Sequence, residues 1–172
     1  MHNAKGTAAM NSGQHETHNA GHTMGDALVL LKNDHRQVET LFQEYENANA
    51  DHSELVSQIC LALDVHARIE EEIFYPEVQG SIENSDLISE ALAEHASAKQ
   101  LIAQIRQEMH QPERLNNLLT ELRQQVMHHV QEEESELFPE VEAAGLDLND
   151  LGRRLTERKM ALMHQLGAQA GA

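Results

Sequence analysis

One phrase of this chain is written twice. The stretch His66-Ala67-Arg68-Ile69-Glu70-Glu71-Glu72-Ile73-Phe74-Tyr75-Pro76-Glu77-Val78 returns 63 residues later as His129-Val130-Gln131-Glu132-Glu133-Glu134-Ser135-Glu136-Leu137-Phe138-Pro139-Glu140-Val141. Residues four apart lie on one face of a helix, so each copy points one imidazole and one carboxylate the same way. An acid-histidine pair precedes each copy, Asp34-His35 and Glu94-His95, and these pairs are 60 residues apart. The chain therefore reads as a tandem repeat of two helix pairs, each with one lone histidine and one His-x-x-x-Glu.

Apolar periodicity selects which polar residues face inward. Leu28, Leu31, His35, Val38, Phe42 and Tyr45 recur at steps of three and four, the mark of an amphipathic helix. A second helix, capped by Asp51 or Ser53, carries Ile59, Leu63, His66, Glu70 and Ile73 on its buried line, and Pro76 should kink or end it. After a turn over residues 80–85, a third buries Ile88, Ala91, His95, Ala98, Ile102, Ile105 and Met109. Gln111-Pro112 opens a fourth, whose line of Leu115, Leu119, Leu122, Val126, His129, Glu133 and Leu137 selects His129 over His128 and Glu133 over its neighbours. Gly145 ends it. Leu148, Leu151, Leu155, Leu162 and Leu166 then outline a shorter fifth helix. The fold expected is all-α: an antiparallel up-down four-helix bundle over residues 26–145 with a short amphipathic C-terminal helix over 146–172 packed outside it. Residues 1–25 are rich in Gly, Asn, Ser, Thr and Ala without apolar period, and are expected to form a disordered tail carrying His2, His15, His18 and His22.

Charge and cysteine usage exclude several functions. A formal charge of -17 offers no basic face to nucleic acid or an anionic membrane. Cys60 is the only cysteine, which rules out an intrachain disulfide and thiolate-rich zinc or iron-sulfur sites. The absence of a long apolar run and of a signal-peptide pattern makes the cytoplasm the expected location.

The stripes place His35, His66, Glu70, His95, His129 and Glu133 in one core. A single buried histidine is ordinarily a hydrogen-bonded core residue. Six such groups in a repeated pattern are another matter, because each buried carboxylate costs several kcal/mol uncompensated. Arg68, Lys99 and Arg123 lie off the buried lines, so a metal is the better compensation. Imidazole with carboxylate and no thiolate suits iron, manganese or zinc. Helix pairs each giving His and Glu are how bundles hold two metals, with Glu70 and Glu133 as bridges.

This order, one histidine, then His-x-x-x-Glu, then the same again, resembles the hemerythrin-like HHE cation-binding family. The resemblance extends to Lys32-Asn33-Asp34-His35-Arg36, Glu70-Glu71-Glu72-Ile73-Phe74-Tyr75-Pro76 and His128-His129-Val130-Gln131-Glu132-Glu133-Glu134. It implies a non-haem centre of two iron ions, bridged by two carboxylates and an oxo or hydroxo group, with the six residues above as ligands. It further implies oxygen binding or sensing, or the handling of peroxide or nitric oxide; a catalase- or peroxidase-like enzyme and an iron-dependent signalling module are the alternatives. Oxygen-carrying hemerythrins have His-x-x-x-His on the third helix, where this chain has His95 and Lys99, and an aspartate in the fourth. The missing histidine leaves more coordination positions open to a small molecule.

Overall fold

The computed structural model describes residues 25–48 and 52–170. Residues 1–24 of the expected tail, with its histidines, and Asp51 lie outside the described residues. Helix α1 is Ala27–Asn47, opened by Asp26, whose carboxylate accepts from the Val29 N–H at 2.9 Å. Helix α2 spans residues 53–78, α3 is Asp86–Gln107, α4 spans residues 112–143, and α5 is Leu148–Ala170. The first four form the expected bundle, and α5 packs on α1 and α2.

Two expectations about helix ends need correction. His52, not Asp51 or Ser53, occupies the α2 cap position, without capping through its side chain, and Ser53 is the first helical residue. The His52 ring instead packs on Tyr45, centroids 4.9 Å apart. The fifth helix is not short, since its 23 residues make it at least as long as α1 and α3. Its leucines bury a full stripe, which sustains its length: Leu151, Leu155 and Leu162 enter the core. Gly152 meets the start of α1 so closely that a Cβ there would lie 2.5 Å from the Gly25 carbonyl oxygen.

Pro76, expected to kink or end α2, does not end it; ahead of Pro76, and likewise ahead of Pro139 in α4, the helix widens. Pro76 and Pro139 have no N–H to give an α-helical ladder. In each case a five-residue π turn, Glu70–Phe74 or Glu133–Leu137, ends two positions before the proline, and α geometry resumes at Tyr75–Val78 and Phe138–Ala143. The Tyr75 N–H bonds to the Glu70 carbonyl and the Phe138 N–H to that of Glu133, five residues back. This shifts the buried face by one position: Ile73 is half-buried, while Phe74 and Tyr75 are buried.

The core consists of two apolar clusters. One contains Leu28, Leu31, Phe74, Tyr75, Phe138 and the α5 leucines; the other contains Val38, Phe42, Ile59, Ile102, Leu119 and Leu122. His35, between Leu31 and Val38 in sequence, marks where α1 passes from one cluster to the other, and α2, α3 and α4 pass at the same level.

Candidate metal centre

At that level, among the described residues, the six core residues singled out from sequence come together. Each is buried, with Glu70 at 0% and Glu133 and His35 at 2% relative exposure. Their ligating atoms converge. The Nε2 atoms of His35 and His66 are 3.2 Å apart, as are those of His95 and His129. Each glutamate reaches both helix pairs: Glu70 Oε2 is 3.2 Å from His66 Nε2 and 3.3 Å from His95 Nε2. Glu133 Oε2 is 3.3 Å from His35 Nε2 and 3.5 Å from His129 Nε2. Ligand atoms from His35, His66, Glu70 and Glu133 form one cluster within 4.8 Å, and those from Glu70, His95 and His129 a second.

The outward ring nitrogens also have a common pattern. His35 Nδ1 lies 2.8 Å from Glu134, His95 Nδ1 3.0 Å from Glu71, and His129 Nδ1 2.9 Å from Glu94. His66 Nδ1 faces Asp34 at 3.6 Å. For His35, His95 and His129 the carboxylate behind Nδ1 fixes the proton there and leaves the Nε2 lone pair pointing inward, as in metal-binding imidazoles.

These residues fit a metal pair. One proton between two facing nitrogens can serve only one lone pair, and 3.2 Å is a spacing that neighbouring ligands adopt around a cation with metal–nitrogen bonds of about 2.0–2.1 Å. Glu70 Oε1 and Glu133 Oε2 are buried with no hydrogen-bond partner, which a cation would relieve. In the metal-free chain protons partly fill that role. Burial alone would keep the His129 imidazole neutral, but the carboxylates of Glu133, Glu94 and Glu70 raise its pKa to about 9. Burial opposes ionisation of Glu133, yet His129, His35 and His66 hold it at about 2.

The family description "Hemerythrin HHE cation binding domain" matches residues 26–141. The chain belongs to this family. A crystal structure of a hemerythrin HHE cation binding domain-containing protein from Mycobacterium kansasii is similar to this HHE domain at a TM-score of 0.71 and 22% identity, covering 82% of this chain and 89% of that one. That likeness shows the shared fold. A protein named DNA nickase from Nostoc sp. (strain PCC 7120 / SAG 25.82 / UTEX 2576) is 30% identical over 151 residues, covering 82% of this chain; the chain spans 41% of that relative's length. Among the described residues no helix is long and apolar enough to cross a membrane.

Two features of this HHE domain were not found from sequence. One is the ring of outer carboxylates, although the adjacent pairs Asp34-His35 and Glu94-His95 held its signal. Each of those acids serves the histidine of the following helix, not its own neighbour. The other is Tyr75. Its hydroxyl donates to Glu133 Oε1 at 2.8 Å and lies 3.4 Å from both Glu70 Oε2 and His95 Nε2. Burial first, and the carboxylates of Glu70 and Glu133 second, push the phenol well above its ordinary pKa, so it keeps its proton. The π turn carries it there, since a five-residue turn sets Tyr75 over Glu70.

His128, which the stripe rejected, points outward with a 64% exposed side chain and contacts Glu94 and Glu132. Lys99, in the place of a further histidine, holds both oxygens of Glu71 at 2.6 Å.

Proposed function

We propose that this HHE domain is a non-haem di-iron protein that binds a small oxygen- or nitrogen-centred molecule: dioxygen, peroxide or nitric oxide. The observation that carries the metal reading is the pair of facing Nε2 couples, each backed by carboxylates and spanned by Glu70 and Glu133. His35 and His66 would hold one iron and His95 and His129 the other, with Glu70 and Glu133 within reach of both. Two irons held there would supply one- and two-electron exchange with a bound molecule. Iron is the metal that the family resemblance implies for this ligand set.

The choice of a small ligand follows from space. A cavity of about 30 Å³ abuts the four rings, walled by Val38, Leu63, Ile102, Val126 and Val130. A water needs roughly 10–15 Å³ by the same measure, so a diatomic fits and an organic substrate does not. Apolar walls keep bulk water from the reacting position.

Tyr75 favours a second reading, turnover of peroxide. Its phenol holds a proton at hydrogen-bond distance from Glu133, where a peroxide cleaved beside the glutamates would require one.

The test is metal analysis of protein loaded to saturation, with two irons per chain expected; a reproducible value of one contradicts the dinuclear reading. In the same assay His129→Ala loses iron and His128→Ala keeps it. Equal losses would show that the inward register is wrong.

A further inference from the structure

Helix α5 begins after the region matched by the family, which stops at residue 141. It nonetheless reaches the candidate centre. Lys159 donates to Asp34 Oδ1, and the other oxygen of Asp34 faces His66 Nδ1 at 3.6 Å. Neither Asp34 Oδ2 nor His66 Nδ1 has a hydrogen-bond partner, and both residues are buried. Lys159 is thus the only side chain that hydrogen-bonds the Asp34 carboxylate among the described residues. Beside it a solvent-connected cavity of about 250 Å³, lined by Asp34, Gln37, Gln58, Lys159 and Met163, leaves the carboxylate room to swing away.

We infer that Lys159 is a positioning residue of the metal centre, through which α5 holds Asp34 against His66 and sets how firmly the α1–α2 half retains its metal. This rests on the metal reading above. The rest of α5 is fastened accordingly. Gly152 lies backbone against backbone on the start of α1, Arg154 pairs with Glu77 at 2.7 Å, and Arg158 pairs with Glu72 of the first π turn at 2.5 Å. In the other half the carboxylate behind His95, Glu71, is held by Lys99 of the same helix as His95, with no contribution from α5 among the described residues. The carboxylate that corresponds to Asp34, Glu94, is held by two histidines, His128 and His129, from α4.

Residues behind metal-bound imidazoles alter metal affinity by about 10- to 100-fold, so loss of Lys159 should affect one metal of the two. The experiment follows iron transfer from loaded full-length protein to a colorimetric ferrous chelator under reducing conditions. Lys159→Met should release one iron per chain at least ~10-fold faster than wild type and the second at the wild-type rate. Lys159→Arg should restore slow release. Arg153→Ala should behave as wild type, because among the described residues Arg153 pairs only with Asp150 and Glu157 on the α5 surface. Asp34→Ala, which removes the acceptor that Lys159 holds, should copy Lys159→Met and serves if that variant folds poorly. Wild-type release from Lys159→Met, or equally accelerated loss of both irons, overturns the inference while leaving the centre intact. A wild-type chain that takes up no iron overturns the metal reading, and this inference with it.

Discussion

Helices α1 and α2 deliver His35, His66 and Glu70; helices α3 and α4 deliver His95, His129 and Glu133, and each ring has a carboxylate behind it. The halves differ one step outward. Five residues beyond its glutamate the first half carries Tyr75, whose hydroxyl joins the polar network; the second carries Phe138, which stacks on His35 at 5.9 Å. The first half's Asp34 is tied to α5 by Lys159, whereas the second half's Glu94 is tied to the surface by His128. The repeat accounts for the two matching sets of histidine and glutamate, as the proposed metal pair would require. The departures from symmetry fall on groups that hold a proton or hold a ligand in place, which is where a symmetric site becomes chemically directional.

Removing a group that both halves share should have the largest effect. Glu70 and Glu133 each contact an imidazole from either pair, so Glu70→Ala and Glu133→Ala should each lower iron content from two per chain to near zero. A variant that keeps one tightly bound iron would show that the halves bind independently.

A smaller effect concerns the metal-free chain. The folded pKa of His129, about 9, lies above its ordinary 6.5, so its contribution to stability is complete below pH 6.5 and is lost as the pH rises through about 9. Glu133, lowered from 4.5 to about 2, contributes above pH 4.5 and loses that contribution as the pH falls through about 2. Metal-free protein should therefore melt highest between pH 4.5 and 6.5. Towards pH 9 it should lose on the order of 3 kcal/mol, or roughly 5–10 °C for a chain of this size. Iron-loaded protein, whose inward nitrogens hold metal instead of protons, should not show that decline. Parallel melting curves that fall together with pH would count against His129 as a ligand.

The smallest effect tests the asymmetry itself. Tyr75→Phe makes the first half like the second. It should leave two irons bound and cost about 1 kcal/mol for the lost hydrogen bond, while slowing oxygen evolution from peroxide several-fold. Unchanged peroxide turnover would remove the proton-holding role from Tyr75 and the second functional reading with it.

The six clustered core residues could be read from sequence because each sits on an apolar stripe where a leucine would otherwise stand. His129 and Glu133, set against the neighbouring His128 and Glu132, show how sharply an α-helical period discriminates. The same period failed beyond Glu70, where it pointed to Ile73 and the structure buries Phe74 and Tyr75. A π turn adds one residue to the period, and only the prolines at equal offsets, Pro76 and Pro139, hinted at it. The partners of Asp34 were beyond reach for another reason. Lys159 is 125 residues away on a helix whose docking depends on Gly152 and a leucine stripe, and no local pattern encodes that contact.

The facing imidazoles also bear on how the chain is held together. Its sole cysteine is a buried free thiol, so no disulfide limits its unfolded ensemble. The Nε2 couples, however, join residues 31 and 34 positions apart. A cation gripped by each couple closes loops for which a disulfide would remove on the order of 3–4 kcal/mol of chain entropy. On the proposed reading the metal pair thus acts as a reversible staple across all four helices, one that opens on exposure to a chelator and has no dependence on the thiol redox state of its surroundings.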